Sequence, residues 1–277
     1  MSLATHKIAV LGLGTLGRAL TAGMLERGDA ERDRVRATVR RAPLAEELAD
    51  ELGIRVGTSN PDAARDADVC LVCTKPKAIA GLLEELTASG ALEHSPLIVS
   101  VAAGVTIPSL EASLPAGTRV VRAMPNTPCL IGEGMTVVAR GSKATEDDAQ
   151  LALELFRPLG RALELGEQHM DAVTGLSGSG PAFAYVMLEA LSEGGVMMGL
   201  PRAVAAELAA QTMRGAASLV LETGQHPAAL KDEVLTPAGC TIAGLLVMED
   251  GGIRSTLARG VQEAARAARA LGDTTEG

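Results

Sequence analysis

The segment Lys7–Leu20, KIAVLGLGTLGRAL, decides the fold of this chain. Its first five residues are typical of a strand, and the later residues begin a helix that we expect to end at Gly28. Between them, Gly12 permits a tight turn, Gly14 lets a pyrophosphate approach the backbone, and Gly17 allows close helix–strand packing. G-x-G-x-x-G between strand and helix predicts dinucleotide binding, with a chance glycine-rich turn as the alternative.

A second strand is predicted at Arg34–Val39, and its end indicates which dinucleotide binds. Folds that prefer NAD carry an acidic residue at this point, which holds the ribose 2′-hydroxyl. Here Arg40 and Arg41 follow instead, and two cations suit the 2′-phosphate of NADP. The alternative is that both arginines are solvated surface charges, so NADPH is expected as cofactor and NADH stays open.

Strands and helices alternate along the first 165 residues, which predicts a Rossmann-type, doubly wound α/β sheet as domain 1–165. From His169 to Gly272 the apolar residues have helical spacing and indicate no strand, so domain 166–277 is expected to be all-α. Further strands are predicted at Ile54–Val56, Val69–Val72, Leu97–Ser100, Arg119–Arg122, Met135–Ala139 and Ala162–Leu165.

Several further residues follow the predicted strands, at the carboxyl edge where open α/β sheets bind their ligands. Lys75 stands out because lysine is scarce in this chain, although it could simply cap its loop. Asn126 lies in a turn that two prolines make rigid. Besides the two arginines, the predicted cofactor-binding residues are Gly12, Gly14, Thr15, Leu16, Asn60, Thr74, Lys75, Pro76, Ala102 and Asn126.

Composition and charge exclude several classes of protein. The net charge of −9 argues against a nucleic-acid-binding surface, which needs a basic patch. No apolar run reaches the roughly 18–20 residues of a membrane span, and the first residues do not resemble a signal peptide. We therefore expect a cytoplasmic protein.

Cys70 and Cys73 form a C-x-x-C pattern that could indicate a metal or redox site. They lie in a run that reads as a buried strand, where residues three apart point to opposite faces. Such a pair cannot grip one metal ion, so we interpret both as core cysteines and expect no metal site.

A second functional stretch is Leu230–Asp250, LKDEVLTPAGCTIAGLLVMED. Pro237 and small residues precede an apolar run with helical spacing, which predicts a helix with Pro237 near its start. The free N–H groups of such a helix start, and the positive end of its dipole, suit a small carboxylate. The predicted substrate-binding residues are Ala238, Gly239, Cys240 and Thr241. By itself the pattern also fits an ordinary loop before a core helix.

Two long segments of the second domain are apolar on more than one face. They are VMLEALSEGGVMMGL and the predicted helix at 203–221. Helices of this kind need burial against something else, and we interpret them as dimerisation helices.

The motifs along the whole chain resemble those of the pyrroline-5-carboxylate reductase family. They are GLGTLG, CTKP, SVAAGV, RAMPNTPCLIGEGMT, GLSGSGPAFAY and ETGQHPAALKDEVLTPAGCTIAGLLVMEDGG, in this order. Ala238 departs from the glycine that members more often carry, which affects only the local freedom of the backbone.

The resemblance implies reduction of L-Δ1-pyrroline-5-carboxylate to L-proline with NADPH or NADH, the last step of proline biosynthesis. It implies that residues 237–241 hold the substrate carboxylate and that the Thr241 hydroxyl, the expected catalytic group, lies at the ring nitrogen. It also implies a homodimer, often assembled further, whose active site combines one subunit's sheet domain with its partner's helices.

Two other functions stay open at this point. A β-hydroxyacid dehydrogenase of the same two-domain plan would need a lysine on a middle helix as proton donor, and residues 177–222 contain none. A non-catalytic NADP-sensing module would have no reason to keep a carboxylate-binding turn and a hydroxyl at 237–241.

Overall fold

The computed structural model describes residues 3–27 and 30–273, with side chains up to residue 270. Gly28, the predicted end of the first helix, lies outside these residues. The predicted boundary between residues 165 and 166 stays a prediction, because compact units need not coincide with functional domains.

Two compact units make up the chain. The first, here called the sheet unit, comprises Met1–Ser179 and Glu263–Gly277. The second, called the helical unit, comprises Gly180–Gln262, and its regular secondary structure is entirely helical.

The sheet has eight strands in the order β3-β2-β1-β4-β5-β6-β7-β8. All neighbours are parallel except β6 and β7, which are antiparallel. The strands are β1 (Ile8–Leu11), β2 (Val35–Thr38), β3 (Arg55–Gly57), β4 (Val69–Val72), β5 (Leu97–Ser100), β6 (Arg119–Met124), β7 (Gly134–Arg140) and β8 (Gly160–Glu164).

The α-helices of the described residues are α1 (Thr15–Glu26), α2 (Ala42–Leu52), α3 (Asn60–Ala64), α4 (Ile79–Ala88), α5 (Ile107–Ala112), α6 (Glu146–Phe156), α7 (Met170–Val173), α8 (Gly180–Met197), α9 (Arg202–Thr223), α10 (Pro227–Glu233), α11 (Cys240–Asp250) and α12 (Ile253–Asp273). A π-helical turn at Thr174–Gly178 precedes α8.

The central strands are short apolar runs because helices cover both faces of the sheet. In β4 every residue is buried, and alternate side chains enter different cores. Val69 and Leu71 lie in the core that α1, α2 and α6 cover, whereas Cys70 and Val72 lie in the core beneath α3 and α4.

The two cysteines of the C-x-x-C pattern therefore lie on opposite faces, as predicted. Cys70 is in one core, and Cys73, just after β4, packs against the other. Burial raises the pKa of both thiols to about 12, so neither is reactive at neutral pH.

The predicted α/β class is confirmed, with a doubly wound sheet followed by helices. Between His169 and Gly272 the described residues contain no strand, as expected. No helix in the described ranges is long and apolar enough to cross a membrane.

The predicted ends of the strands differ from the observed ones by up to two residues. Strand β6 continues to Met124 because its end pairs with Val137 of the antiparallel β7. Lys7 lies outside β1, and its N–H donates to the Asp68 side chain at 2.7 Å. Strand β8 begins two residues early, at Gly160, where the φ angle of +137° requires glycine.

The helical unit buries very little of its own apolar surface. Ala205 and Ala209 are its buried residues, and both lie on α9. Helices α8 and α9 pack closely: a Cβ at Gly195 would come within 3.1 Å of the Ala205 Cβ. Larger side chains, including Val186 and Met197, remain exposed. This unit therefore lacks the layered core that stabilises the sheet unit.

Candidate active site

The glycine-rich turn between β1 and α1 is built without space for side chains on its inner face. Gly12 has a φ angle of +102°, which favours glycine. A Cβ at Gly17 would lie 2.3 Å from the Gly12 carbonyl oxygen, so α1 starts directly against the turn. A Cβ at Gly14 would meet no atom within 4 Å, so the space outside the turn is open.

Helix α1 begins with free donors. Gly14 is its N-cap residue and provides no side-chain cap. The first N–H that is bonded in the helix is that of Arg18, which donates to the Gly14 carbonyl. The N–H groups of Thr15, Leu16 and Gly17 have no partner among the described residues. These donors and the helix dipole suit a phosphate group.

The loop after β4 contributes a buried hydroxyl beside this turn. Thr74 Oγ1 is buried and has no hydrogen-bond partner among residues 3–27 and 30–273. The Cγ2 atom of Thr74 would lie 3.1 Å from a Cβ at Gly12, so the loop and the turn are in close contact. Lys75 and Pro76 follow and are exposed. A buried polar atom without a partner is uncommon and fits a site that a ligand completes.

Arg40 and Arg41 follow β2 and are exposed. In the described structure their guanidinium groups form no hydrogen bond or ion pair. They are therefore available to a phosphate, but exposed arginines of this kind are also common on ordinary surfaces. The geometry is compatible with both interpretations of these residues.

Asn60, the first residue of α3, is held by two side chains. Its Oδ1 accepts from the Thr38 hydroxyl at 2.7 Å, and its Nδ2 donates to Glu85 Oε2 at 3.1 Å. Neither partner is predicted from the sequence. No pattern in the sequence indicates them, because Thr38 ends a strand and Glu85 lies on the exposed side of a helix.

Two predicted cofactor residues at β5 and β6 have limited freedom. Ala102 is buried, and its N–H donates to Ser100 Oγ at 3.4 Å. Asn126 accepts from the Met135 N–H at 2.9 Å and donates to the carbonyl and hydroxyl of Ser177 at 3.3 and 3.4 Å. The Asn126 amide thus fixes the shape of this edge and is already engaged by protein groups.

The predicted carboxylate-binding stretch contains a turn before its helix begins. We predicted Pro237 near the beginning of the helix, but α11 begins at Cys240. Pro237 is the second residue of a β-turn in which the Gly239 N–H donates to the Thr236 carbonyl at 3.0 Å. The third residue, Ala238, has a φ angle of +58°. Proline followed by a residue with positive φ is the signature of a type II turn. This turn lies directly before α11.

The start of α11 presents several donors in one place. Gly239 is the N-cap residue, without a side-chain cap, and a Cβ there would lie 2.3 Å from Thr236 Oγ1. The N–H groups of Cys240, Thr241 and Ile242 have no partner among the described residues. The half-buried Thr241 hydroxyl also has none, and it is not the cap of its helix. The turn therefore offers backbone donors and one hydroxyl to a small anion.

The remaining titratable groups indicate no metal centre in the described ranges, where no group of three or more His, Cys, Asp or Glu side chains could hold an ion. Cys240 is exposed, whereas burial raises the pKa of the Cys129 thiol. No disulfide joins the four cysteines, all of which the structure describes.

Two family models match the chain. Residues 7–104 match an NADP oxidoreductase family described as coenzyme F420-dependent, and residues 167–271 match the pyrroline-5-carboxylate reductase dimerisation family. A pyrroline-5-carboxylate reductase of Schizosaccharomyces pombe is 44% identical over 95% of this chain and 98% of its own length.

Solved structures agree with this similarity over the full length. A pyrroline-5-carboxylate reductase from Coxiella burnetii has a TM-score of 0.91 at 32% identity, covering 96% of this chain and 98% of its own. A Plasmodium falciparum pyrroline carboxylate reductase with NADP bound has a TM-score of 0.85 at 28% identity, covering 98% and 99%. The predicted resemblance is confirmed: the chain belongs to the pyrroline-5-carboxylate reductase family.

Proposed function

We propose that this protein reduces L-Δ1-pyrroline-5-carboxylate to L-proline with NADPH as the preferred reductant. The observation that carries the proposal is the uncapped start of α11, where the N–H groups of residues 240–242 and the hydroxyl of Thr241 have no partner among the described residues. In a member of this reductase family, a carboxylate-binding turn with one adjacent hydroxyl is what a cyclic imino acid requires.

The glycine-rich turn and its neighbours fit the pyrophosphate of a dinucleotide. Thr15, Leu16 and Gly17 would donate their backbone N–H groups to it, and Gly14 leaves the approach open. The buried Thr74 hydroxyl would gain a partner. NADPH, when bound, supplies the hydride for the reaction.

The substrate carboxylate would lie on the backbone donors of α11, with the ring nitrogen at Thr241. Hydride adds to the carbon of the C=N bond, and the electron pair of that bond moves to nitrogen, which takes up a proton from water. The Thr241 hydroxyl can donate a hydrogen bond to this nitrogen as electron density increases there. Because backbone and hydroxyl groups do not titrate near neutrality, positioning contributes most of the catalysis.

The two alternative functions are less well supported. A β-hydroxyacid dehydrogenase would need a lysine donor, and neither α8 nor α9 contains one. A non-catalytic NADP-binding module would not need the free hydroxyl beside an uncapped helix start.

We also propose that the chain assembles as a homodimer, and further into a larger homo-oligomer, through the helical unit. The match of residues 167–271 to a dimerisation family supports this proposal. So do the exposed Tyr185, Val186, Leu191 and Met197 of α8, because apolar side chains in such numbers favour burial against a second copy. A division at residue 165 between cofactor binding and assembly, and a cytoplasmic location, stay predictions.

The substrate can be tested directly by following the oxidation of NADPH with each candidate substrate at the same concentration. We expect turnover with pyrroline-5-carboxylate and none with a panel of β-hydroxyacid oxidation products. Turnover with the panel alone would contradict the proposal in favour of a dehydrogenase. Binding of NADPH without any turnover would favour the non-catalytic module.

Replacement of Thr241 tests the catalytic hydroxyl. Thr241→Ala should lower kcat about ten- to a hundredfold, because a hydrogen bond to a charged group contributes about 1.5–3 kcal/mol. Thr241→Ser keeps the oxygen and should retain much of the activity. Steady-state constants and the melting temperature of both variants are the measurements. An unchanged kcat in Thr241→Ala with a lower Tm would mean that Thr241 has only a structural role.

Replacement of the two arginines tests the cofactor preference. Arg40→Asp combined with Arg41→Ser should raise the KM for NADPH about tenfold or more through lost charge-assisted hydrogen bonds, and leave that for NADH nearly unchanged. Arg65→Ser, at another exposed arginine of the sheet unit, is the matched control. If the NADPH constant does not change, Arg40 and Arg41 are surface charges only.

Light scattering tests the assembly. At micromolar concentration the particle mass should be at least that of two 28.3 kDa chains, since the exposed apolar residues of the helical unit would otherwise face water. A stable monomer would contradict the proposed homo-oligomer.

A further inference from the structure

A chain of three hydrogen bonds crosses the sheet unit beneath the glycine-rich turn. The Gly12 N–H donates to Thr38 Oγ1 at 3.1 Å. The Thr38 hydroxyl donates to Asn60 Oδ1 at 2.7 Å, and Asn60 Nδ2 donates to Glu85 Oε2 at 3.1 Å. The four residues come from the turn after β1, the end of β2, the start of α3 and the middle of α4, so the chain joins four separate segments.

The direction of these bonds is determined from the Glu85 end. An ionised carboxylate only accepts, so it must face the amide nitrogen of Asn60. The amide oxygen of Asn60 then faces Thr38, and the Thr38 hydroxyl proton must point to it. This leaves a lone pair of the Thr38 oxygen for the N–H of Gly12. The charge on Glu85 therefore selects one orientation for every group in this series of hydrogen bonds.

Burial makes the middle of this hydrogen-bond series rigid. Thr38 is 2% exposed, and its carbonyl also accepts from the Leu13 N–H at 2.8 Å. A buried residue thus binds two consecutive N–H groups of the turn, and hydrogen bonds among buried groups are costly to break. The donors of Gly12 and Leu13 are consequently engaged, and those of Thr15, Leu16 and Gly17 remain for a ligand.

Glu85 itself is in a different situation. It is exposed, and the Asn60 amide is its hydrogen-bond partner in the described structure. An exposed hydrogen bond of this kind contributes little to overall stability. It still favours one orientation of Asn60, because reversing the amide would place the amide oxygen against the carboxylate.

We infer that Glu85 is a positioning residue for the cofactor: through Asn60 and Thr38 it holds the glycine-rich turn in its binding conformation. The inference rests on the proposed role of this turn and of Asn60 in binding NADPH. Glu85 need not touch the cofactor. A site that is ordered before binding loses less conformational freedom when the ligand arrives, so the expected effect is on affinity.

The test measures the Kd of NADPH by fluorescence titration of the full chain, without substrate. Glu85→Ala should weaken binding about fivefold, consistent with the loss of one ordinary hydrogen bond. The Kd of Glu85→Gln should lie between those of Glu85→Ala and the unaltered protein, because its amide can present either an acceptor or a donor to Asn60. Glu84→Ala, at the adjacent exposed glutamate of the same helix, is the matched control and should bind like the unaltered protein.

A double variant shows whether Glu85 acts through Asn60. Asn60→Ala should weaken NADPH binding, and adding Glu85→Ala to it should have no further effect. For Glu85→Ala, kcat at saturating NADPH should change less than twofold, and the Tm of the cofactor-free protein should match that of the Glu84→Ala control.

Three results would overturn the inference. One is an unchanged Kd in Glu85→Ala when Asn60→Ala binds weakly. The second is a double variant whose losses of NADPH affinity add. The third is a lower Tm of Glu85→Ala together with a fall in its kcat as large as its loss of affinity, which would indicate a structural role. An unchanged Kd in Asn60→Ala would instead contradict the proposed cofactor role of Asn60, and with it the basis of the inference.

Discussion

The sheet unit depends on the contact between the start of α1 and the turn before it. Because a Cβ at Gly17 would lie 2.3 Å from the Gly12 carbonyl oxygen, any side chain there would push the helix away from β1. The turn follows β1, which lies between β2 and β4, so the ends of these two strands flank it. Thr38 and Thr74 both reach the turn only because it lies so close to the sheet.

The sequence predicts those parts of the fold that local interactions determine. The strand Val69–Val72 was predicted to the residue, because a run buried on both faces must be apolar throughout. The type II turn at residues 236–239 was not predicted. Proline fits a helix start and a type II turn equally well, and only the φ angle of Ala238 distinguishes them.

The candidate site also contains some features that follow from the local sequence and others that do not. The glycine spacing and the residues at strand ends could be read from the chain, since sequence order places them at one edge. The bonds of Asn60 to Thr38 and Glu85 could not. They join residues 22 and 25 positions apart, and they depend on the register of neighbouring strands and on the rotation of a helix, which no local pattern encodes.

Ala238 shows how a turn can be ordered at a local cost. Alanine in the left-handed region is strained by roughly 1–2 kcal/mol, and glycine would avoid this strain. Yet alanine has fewer backbone conformations than glycine in the unfolded chain, so it gives up less entropy on folding. Where φ is positive, the strain outweighs this gain in entropy. The start of α11 is therefore joined to the preceding chain through a turn that stores a small amount of conformational energy.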